Sequence, residues 1–173
     1  MDRVEFLTSE DERKRRLLEV TITHPDIDKD ANQLDEHIKK FLTSKIKMNE
    51  REIDANLKAF KSARDKTTKV IFSHIRFKKF LFAARRKMFL DDRDACQNLY
   101  INENLTPYNY DILKTLKREK KRREENNEPN LDAVYTFEGR VFVKKVRTDS
   151  KTPGTVISSR KSLENFLNQM SSS

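Results

Sequence analysis

The chain has 173 residues, of which 35% are hydrophobic and 38% are charged, and it contains two glycines and one cysteine. This composition allows a thin hydrophobic core with long solvated faces. It excludes glycine-rich phosphate loops, because neither a GxGxxG nor a GxxxxGK[ST] pattern is present, and the single cysteine excludes an intrachain disulfide. No apolar run approaches the roughly 18 residues that span a membrane, and the N-terminus lacks a secretory signal. We therefore expect an intracellular, soluble protein.

The formal net charge of +9 is unevenly distributed along the chain. Residues 1–66 hold 15 Lys or Arg and 15 Asp or Glu, whereas residues 67–173 hold 22 and 13. A neutral front part and a basic back part indicate a surface that faces a polyanion. The alternative is a lysine-rich, solvated surface without a ligand.

The first part of the chain predicts the order strand, helix, strand, strand, helix, strand. Leu18, Val20 and Ile22 alternate with polar residues, which predicts a half-buried strand. Apolar residues then repeat at helical spacing between Leu34 and Ile46, with Asp30 as the candidate N-cap. The later elements are a weak strand around 53–59, a buried strand at 70–72, a helix capped by Ser73 and a strand at 99–101. This is the ferredoxin-like layout, which RNA-recognition-motif domains share with many others and which does not specify function by itself.

A second, smaller set of elements follows. Thr106-Pro107 predicts the start of a helix, with threonine as N-cap and proline in the first turn, and this helix runs into a strongly basic segment. Glu138-Gly139 predicts a two-residue hairpin turn. The remaining elements are strands at 134–137 and 141–145, a short strand at 156–157 and a final helix capped by Ser159.

These elements predict an α+β protein in four parts. They are a short helical or disordered N-terminal arm at 1–16, an RNA-recognition-motif-like (ferredoxin-like) domain at 17–98, a small α+β C-terminal domain with a β-hairpin at 99–170, and a disordered tail at 171–173.

Several ordered sequence blocks resemble the baculovirus few-polyhedra (FP) proteins and their relatives encoded by insect retrotransposons. Residues 100–107 read YINENLTP and resemble the INENLTP block of that family. The hairpin VYTFEGRVFVKK at 134–145 is similar to the family's W…GKIFVRK, with Phe or Tyr where many relatives have Trp. The ending at 157–163 resembles I-R-S-x-x-D-L. Upstream, the strand at 70–72 and the helix at 80–87 resemble VIVKF…(I/V)LxAARR.

The resemblance covers roughly residues 17–167. It implies a part in occlusion-body formation and virion occlusion, in the host cytoplasm, the nucleus and the virion, with viral structural proteins as partners. It also implies a likeness to the RNA-binding proteins of LINE-type retrotransposons, in which an RNA-recognition-like domain and a C-terminal domain together grip single-stranded nucleic acid. Relatives carry a longer heptad-patterned coiled coil ahead of the first strand, so homo-oligomerisation through that element stays open here.

Three basic sets are candidates for phosphate contact in a basic cleft between the two domains. Residues 76–87 hold six cations and no acid, and residues 114–123 hold seven cations and one acid. The third set surrounds the hairpin. The alternatives are a solvated surface for the first set and a favourable interaction with the helix dipole for the second. The predicted nucleic-acid-binding residues are Lys78, Arg85, Arg86, Lys114, Lys117, Lys120, Lys121, Arg123, Arg140, Lys144, Lys145, Tyr108 and Tyr135.

Exposed aromatic rings would add base stacking to these charges. The candidate rings are Tyr100, Tyr108, Tyr110, Tyr135 and Phe142. The first-strand and third-strand positions that carry stacking rings in RNA-recognition motifs hold Glu19, Thr21, Lys69, Ile71 and Ser73. The usual sheet platform is therefore absent, which predicts low sequence selectivity and a steep dependence of affinity on salt.

The sequence does not predict catalysis, a metal site or a cofactor. Its three histidines are far apart, no HExxH pattern occurs, and Cys96 lies in an acidic stretch that disfavours a thiolate. We therefore expect a non-enzymatic protein that binds single-stranded RNA or DNA and does not insert into membranes. The alternative is a structural or adaptor protein in virion morphogenesis whose basic half binds an acidic protein partner.

Overall fold

The computed structural model describes residues 2–28, 30–62, 67–129, 131–144 and 154–171. Within these ranges the chain has a mixed α+β fold with five α-helices and two small antiparallel sheets. It divides into two compact units. Leu17–Asn104 forms one, which we call the four-stranded unit; the chain up to Arg16 joins the chain from Leu105 onwards to form the other, the three-stranded unit.

The four-stranded unit has the element order strand, helix, strand, strand, helix, strand. The elements are β1 (Glu19–Thr23), α2 (Leu34–Ser44), β2 (Lys58–Lys61), β3 (Thr68–Ile71), α3 (Ile75–Asp91) and β4 (Tyr100–Glu103). The strands lie in the order β2-β3-β1-β4, and every neighbouring pair is antiparallel. Because β4 pairs with β1, this unit extends to Asn104, whereas the predicted boundary follows residue 98.

One face of this sheet is covered by the two helices. Val20 and Ile22 of β1 are fully buried, and their polar neighbours point to the other face, as the alternation predicts. Ile38 and Leu42 of α2 and Leu81 of α3 complete the core. The sheet therefore keeps its second face free of helices in the described part of this unit.

Two local predictions for this unit are wrong in position. β2 begins at Lys58 and not near 53, because residues 54–57 form a turn in which Asp54 accepts from the N–H groups of Asn56 and Leu57. A 3₁₀ turn at Glu50–Glu52, closed by a capping box with Asn49, precedes it. The N-cap of α3 is His74 and not Ser73. Ser73 instead donates its hydroxyl and its backbone N–H to the buried carboxylate of Asp54.

The start of α2 also differs from its prediction. Its N-cap position is Gln33, without a side-chain capping bond, so Asp30 does not cap this helix. Asp30 forms an ion pair with Lys61 instead. The first turn of α2 is held by Asp35, which accepts hydrogen bonds from the backbone N–H of Ala59 at 2.7 Å and from the Lys58 ammonium at 3.1 Å. An acid in the first turn also favours the helix through its dipole.

The three-stranded unit packs three helices with one small sheet. Its elements are α1 (Asp2–Arg16), α4 (Pro107–Glu125), β5 (Ala133–Phe137), β6 (Arg140–Lys144), β7 (Thr155–Ile157) and α5 (Arg160–Ser171). The strand order is β5-β6-β7, with both pairs antiparallel. The predicted caps are confirmed: the Thr106 hydroxyl accepts from the N–H of Asn109, and the Ser159 hydroxyl accepts from the N–H of Ser162. Of the predicted tail, Ser171 ends α5, and residues 172–173 lie outside the described residues.

The hairpin turn is also confirmed. Glu138 and Gly139 have positive φ angles of 51° and 74°, the left-handed backbone that a two-residue turn of this kind requires. α1 contacts this turn, because the Arg13 guanidinium donates to the Glu138 carbonyl at 2.8 Å. A Cβ added at Gly139 would lie 2.9 Å from the Arg13 side chain, so glycine suits the position for its backbone angle and for space.

The core of this unit lies between the sheet and its helices. Val141 and Val143 of β6 pack with Ile112 and Leu116 of α4 and with Phe166 of α5. The other face of the sheet carries the side chains that alternate with these valines. No described helix in either unit is long and apolar enough to cross a membrane.

Candidate nucleic-acid interface

The first predicted basic set lies on α3, and its members face different environments. Lys78 is buried: its ammonium lies 2.8 Å from the Glu103 carboxylate and donates to the Leu17 carbonyl at 2.9 Å. A cation held in this way is part of the core, so we leave Lys78 out of the proposed interface. Arg85 is half-buried and Arg86 is exposed, so the set provides only a sparse cationic surface.

The second predicted set lies on α4, and two of its cations have structural partners. The Arg123 side chain is 3% exposed; its guanidinium contacts Glu119 at 2.7 Å and donates to the Pro129 carbonyl. The Lys120 ammonium donates to the carbonyls of Leu131 and Asp132 and so ties the helix to the start of β5. Both side chains stabilise the fold of this unit, and we leave them out of the interface as well.

Acids and arginines form a network of ion pairs at the C-terminal end of α4. Arg122 contacts Glu119 and Glu128, each at 2.8 Å. The hydrogen bond from Arg122 lowers the pKa of Glu119 to about 2, against the effect of burial, and a second bond from Arg123 acts in the same direction. The same Arg122 guanidinium lowers the pKa of Glu128. These acids are therefore occupied within the network and do not neutralise the rest of the helix.

The remaining cations of α4 form one exposed stripe. Positions i, i+3, i+4 and i+7 of a helix share a face, and these are occupied by Lys114, Lys117, Arg118 and Lys121, which we call the α4 stripe. All four are exposed, and the helix buries Ile112 and Leu116 on its opposite side. Among the described residues, only Lys121 of the four has an ion-pair partner, Glu125 at 3.6 Å. Helical spacing alone was sufficient to find Arg118, which our sequence prediction missed.

The third predicted set lies on β6 at the outer face of the three-stranded sheet. Arg140 and Lys144 alternate with the buried Val141 and Val143, and Arg140 also contacts Glu10 of α1 at 3.3 Å. Burial raises the pKa of Glu10, but hydrogen bonds from Arg13 and Arg140 outweigh it and the net shift is downward. Lys145, the third predicted cation, lies outside the described residues.

The outer sheet face and the α4 stripe lie on opposite sides of this unit. α4 packs on the inner face of the sheet, through Ile112 and Leu116, and its stripe points away from that contact. The sequence predicts that the α4 cations and the hairpin cations continue one groove. In this unit they lie instead on two separate surfaces.

The predicted aromatic residues also divide into two groups, one packed in the core and one on the outer face of the sheet. The ring of Tyr108 packs against the core, and its hydroxyl accepts from the backbone N–H of Arg160 at 3.0 Å, so Tyr108 is structural. Tyr135 lies on the outer face of the sheet, with its ring stacked on Phe142 at a centroid distance of 5.4 Å. Beside them Phe137 is 52% exposed. Phe137 was absent from the predicted site, although the alternation of β5 places it on the same face as Tyr135.

The outer face of the four-stranded sheet has no central ring in the described residues. Thr21 pairs with Lys69 on one side and with Asn102 on the other, and Lys69 forms an ion pair with Glu19 at 3.0 Å. On this face, the exposed rings among the described residues belong to the two edge strands: Phe60 of β2 is 50% exposed and Tyr100 of β4 is 58% exposed. This distribution agrees with the residues that the sequence places on the first and third strands.

Metal-ligating side chains and the cysteine are the remaining candidates for a functional site in the described part of the chain. No group of three or more His, Cys, Asp or Glu side chains there is arranged to hold a metal ion. Cys96 is half-buried and free. No protein-family model, curated protein sequence or solved structure matches this chain.

Proposed function

We propose that this chain is a non-enzymatic, few-polyhedra-type protein that binds single-stranded nucleic acid through its phosphates, with little sequence selectivity. The α4 stripe is the observation that carries the proposal. Four cations project from one face of a helix, and three of them have no ion-pair partner among the described residues. Cations in this arrangement release counterions when they meet a polyanion, which is the main source of non-specific affinity.

The acids of α4 strengthen this interpretation. Acids at i±3 or i±4 can neutralise the cations of a helix, and in α4 such pairs are concentrated towards its C-terminal end, at Lys120, Lys121, Arg122 and Arg123. Here Glu119 is committed to Arg122 and Arg123, and Glu124 lies 3.3 Å from Lys120. Of the stripe, Lys114, Lys117 and Arg118 have no ion-pair partner among the described residues, and the exposed Lys121 has only the 3.6 Å contact with Glu125, so the stripe can offer its charge to a ligand.

We also propose that the four-stranded unit is an RNA-recognition-motif-like, ferredoxin-like domain. Its strand-helix-strand-strand-helix-strand order and its sheet order β2-β3-β1-β4 support this assignment. Charged and small side chains occupy the centre of its outer face, so this sheet would contribute to binding through electrostatics and not through base stacking.

The biological part of the proposal depends on the resemblance to the FP family. It places the protein in occlusion-body formation and virion occlusion, in the host cytoplasm, the nucleus and the virion. Viral structural proteins are the expected partners in addition to single-stranded RNA or DNA. The sequence blocks at 70–72, 80–87 and 100–107 support this assignment.

The proposal is tested by fluorescence anisotropy with a labelled single-stranded RNA over a range of salt concentrations. Four phosphate contacts predict a slope of log affinity against log salt of about −3 for a single strand. The variant Lys114→Glu/Lys117→Glu/Lys121→Glu should lose most of this binding. The control Lys14→Glu/Lys40→Glu/Lys161→Glu makes the same change in net charge at exposed lysines elsewhere, and it should bind like the wild type apart from a small uniform loss.

Two outcomes would contradict the proposal. If both triple variants lose affinity equally, net charge alone explains the binding and the α4 stripe has no special part. If the wild type does not bind RNA or single-stranded DNA, but binds an acidic protein in a way that the stripe variant abolishes, the adaptor function replaces the one proposed here.

A further inference from the structure

The outer face of the three-stranded sheet carries a cluster of apolar side chains, two of them half-buried and two exposed. Tyr135 pairs with Phe142, Phe142 pairs with Val156, and Phe137 lies two residues beyond Tyr135 on the same strand. Directly paired residues of antiparallel strands, and residues two apart on one strand, point to the same side of a sheet. Tyr135, Phe137, Phe142 and Val156 therefore form one surface, which we call the aromatic face. Phe137 and Val156 are 52% and 41% exposed.

The rings of the aromatic face have a defined geometry. Tyr135 and Phe142 are stacked with an angle of 11° between their planes, and Phe137 meets Phe142 edge-on at 6.5 Å between centroids. The Tyr135 hydroxyl accepts a hydrogen bond from the N–H of Gly154 at 3.0 Å, which fixes its ring. A Cβ at Gly154 would lie only 3.0 Å from that hydroxyl and from the Val143 carbonyl. The surface is thus held in place by its own strands before any ligand arrives.

Two cations lie on the same face at its two ends. Arg140 is the register partner of Phe137, and Lys144 is the register partner of Ala133. Arg140 and Lys144 are four steps apart along β6, a distance of about 13 Å at 3.3 Å per residue. Rings therefore lie between two positive charges, an arrangement that offers stacking to bases and charge-assisted contacts to phosphates on either side.

We infer that the aromatic face stacks unpaired bases of single-stranded nucleic acid, with Arg140 and Lys144 contacting the adjoining phosphates. This inference rests on the proposed function and gives it a second surface. The α4 stripe would hold phosphates on one side of the unit, and the aromatic face would hold bases on the other. Glu10 partly neutralises Arg140 in the free protein, so a phosphate competes with that contact on binding.

A second copy of this chain is a weaker candidate for the same surface. A symmetric pairing of two aromatic faces would bring the Arg140 and Lys144 side chains of both copies onto one small interface, where like charges oppose association. Stable interfaces also bury about 800 Å² on each partner, which four side chains on three short strands do not approach. Charge complementarity favours a polyanion instead.

The test compares a single-stranded oligonucleotide with an abasic oligonucleotide of the same length and charge. Wild type should bind the oligonucleotide with bases at least about 5-fold more tightly, since one stacked base contributes about 1 kcal/mol or more. Phe137→Ala should lose that advantage and should bind the abasic strand as the wild type does. Phe89→Ala, a matched control at a ring of similar exposure on α3, should keep it.

A second measurement does not depend on the stability of the alanine variant. The chain contains no tryptophan, so Phe137→Trp introduces a single reporter. Its fluorescence should be quenched by the oligonucleotide with bases and not by the abasic strand, because only a stacked base lies against the indole.

The possible failures are distinguishable. If neither strand binds, the proposed function itself is wrong. Suppose that both strands bind equally, that the α4 stripe variant still loses affinity and that the introduced tryptophan is not quenched. The nucleic-acid function then stands, and the aromatic face does not stack bases. If Phe137→Ala converts a dimer to a monomer without changing either affinity, the face binds a second copy and the inference is overturned.

Discussion

Lys78 and Glu103 form an ion pair inside the four-stranded unit, with 2.8 Å between the ammonium and the carboxylate and side-chain exposures of only 4% and 7%. The ammonium also donates to the Leu17 carbonyl at 2.9 Å, just ahead of β1. One lysine thus connects α3, β4 and the segment that leads into β1. Because both charges are removed from water, this ion pair offsets much of the cost of burying them.

Removal of Lys78 should therefore be strongly destabilising. Lys78→Met keeps the aliphatic stem but removes the cation that lies 2.8 Å from the buried Glu103 carboxylate, so we expect the free energy of unfolding to fall by about 3–5 kcal/mol. Urea unfolding followed by circular dichroism measures the loss. The double variant Lys78→Met/Glu103→Leu should recover most of it, since an apolar pair needs no compensation. A single variant as stable as the wild type would show that the pair contributes nothing.

This ion pair also illustrates what the sequence does and does not predict. The alternation of β4 places Glu103 on the same face as the buried Ile101, so a buried acid in need of a partner was predictable. The partner was not, because Lys78 stands among six cations on one helix and only the packing of α3 on the sheet selects it. Local patterns give the direction of a side chain along its own element, and tertiary packing decides what it meets.

The same distinction explains the other successes and failures. The Thr106 cap, the Glu138-Gly139 turn and the burial of Val20 and Ile22 follow from local rules and are confirmed. The position of β2 was wrong because Asp54 accepts from the N–H groups of Asn56 and Leu57 and so holds the preceding residues in a turn. The cap of α3 was wrong because Ser73 donates to Asp54, distant in sequence, while His74 accepts from the N–H of Arg76. For the basic sets, helical spacing identifies the α4 stripe, but the burial of Arg123 depends on its contacts with Glu119 and Pro129.

A buried hydroxyl on β3 offers a stabilising substitution. Thr68 is fully buried, and its hydroxyl has no hydrogen-bond partner among the described residues. An unsatisfied buried polar group costs roughly 1–3 kcal/mol, and valine has the same shape with a methyl group in place of the hydroxyl. Thr68→Val should raise the free energy of unfolding by about 1 kcal/mol.

Thermal unfolding of Thr68→Val beside Thr21→Val checks this expectation. Thr21 lies on the outer face of the same sheet, where its hydroxyl is at the surface, so its replacement should change stability by no more than about 0.5 kcal/mol. A Thr68→Val variant less stable than the wild type would mean that the hydroxyl makes a favourable contact in solution.

Glu119 should make the stability of the three-stranded unit depend on acidity. Its pKa is lowered from 4.5 to about 2, chiefly by the hydrogen bond from Arg122 and against the effect of burial. Since the folded carboxyl is the stronger acid, the unfolded chain binds more protons between these two values, and stability falls as the pH decreases from 4.5 to 2. Above that window the contribution of Glu119 is complete.

Glu119→Gln separates this contribution from general acid unfolding. The wild type should be more stable than the variant by a constant amount above about pH 5, and the difference should shrink as the pH approaches 2. Urea unfolding at a series of pH values measures it. A difference that stays constant down to the lowest pH at which the protein is folded would show that the charge of Glu119 is not what stabilises the network.

Two arginines five residues apart on α4 should have opposite effects on binding and stability. Arg118 belongs to the exposed stripe, so Arg118→Ala should leave the melting temperature unchanged and reduce the magnitude of the salt slope by about 0.7, the contribution of one phosphate contact. Arg123 is buried against Glu119, so Arg123→Ala should lower the free energy of unfolding by about 3 kcal/mol. Its salt slope, measured well below the melting temperature, should equal that of the wild type. The reverse result, a slope that changes with Arg123 and not with Arg118, would place the phosphate contacts away from the α4 stripe, because a guanidinium sequestered in the Glu119 network can meet a phosphate only after that network opens.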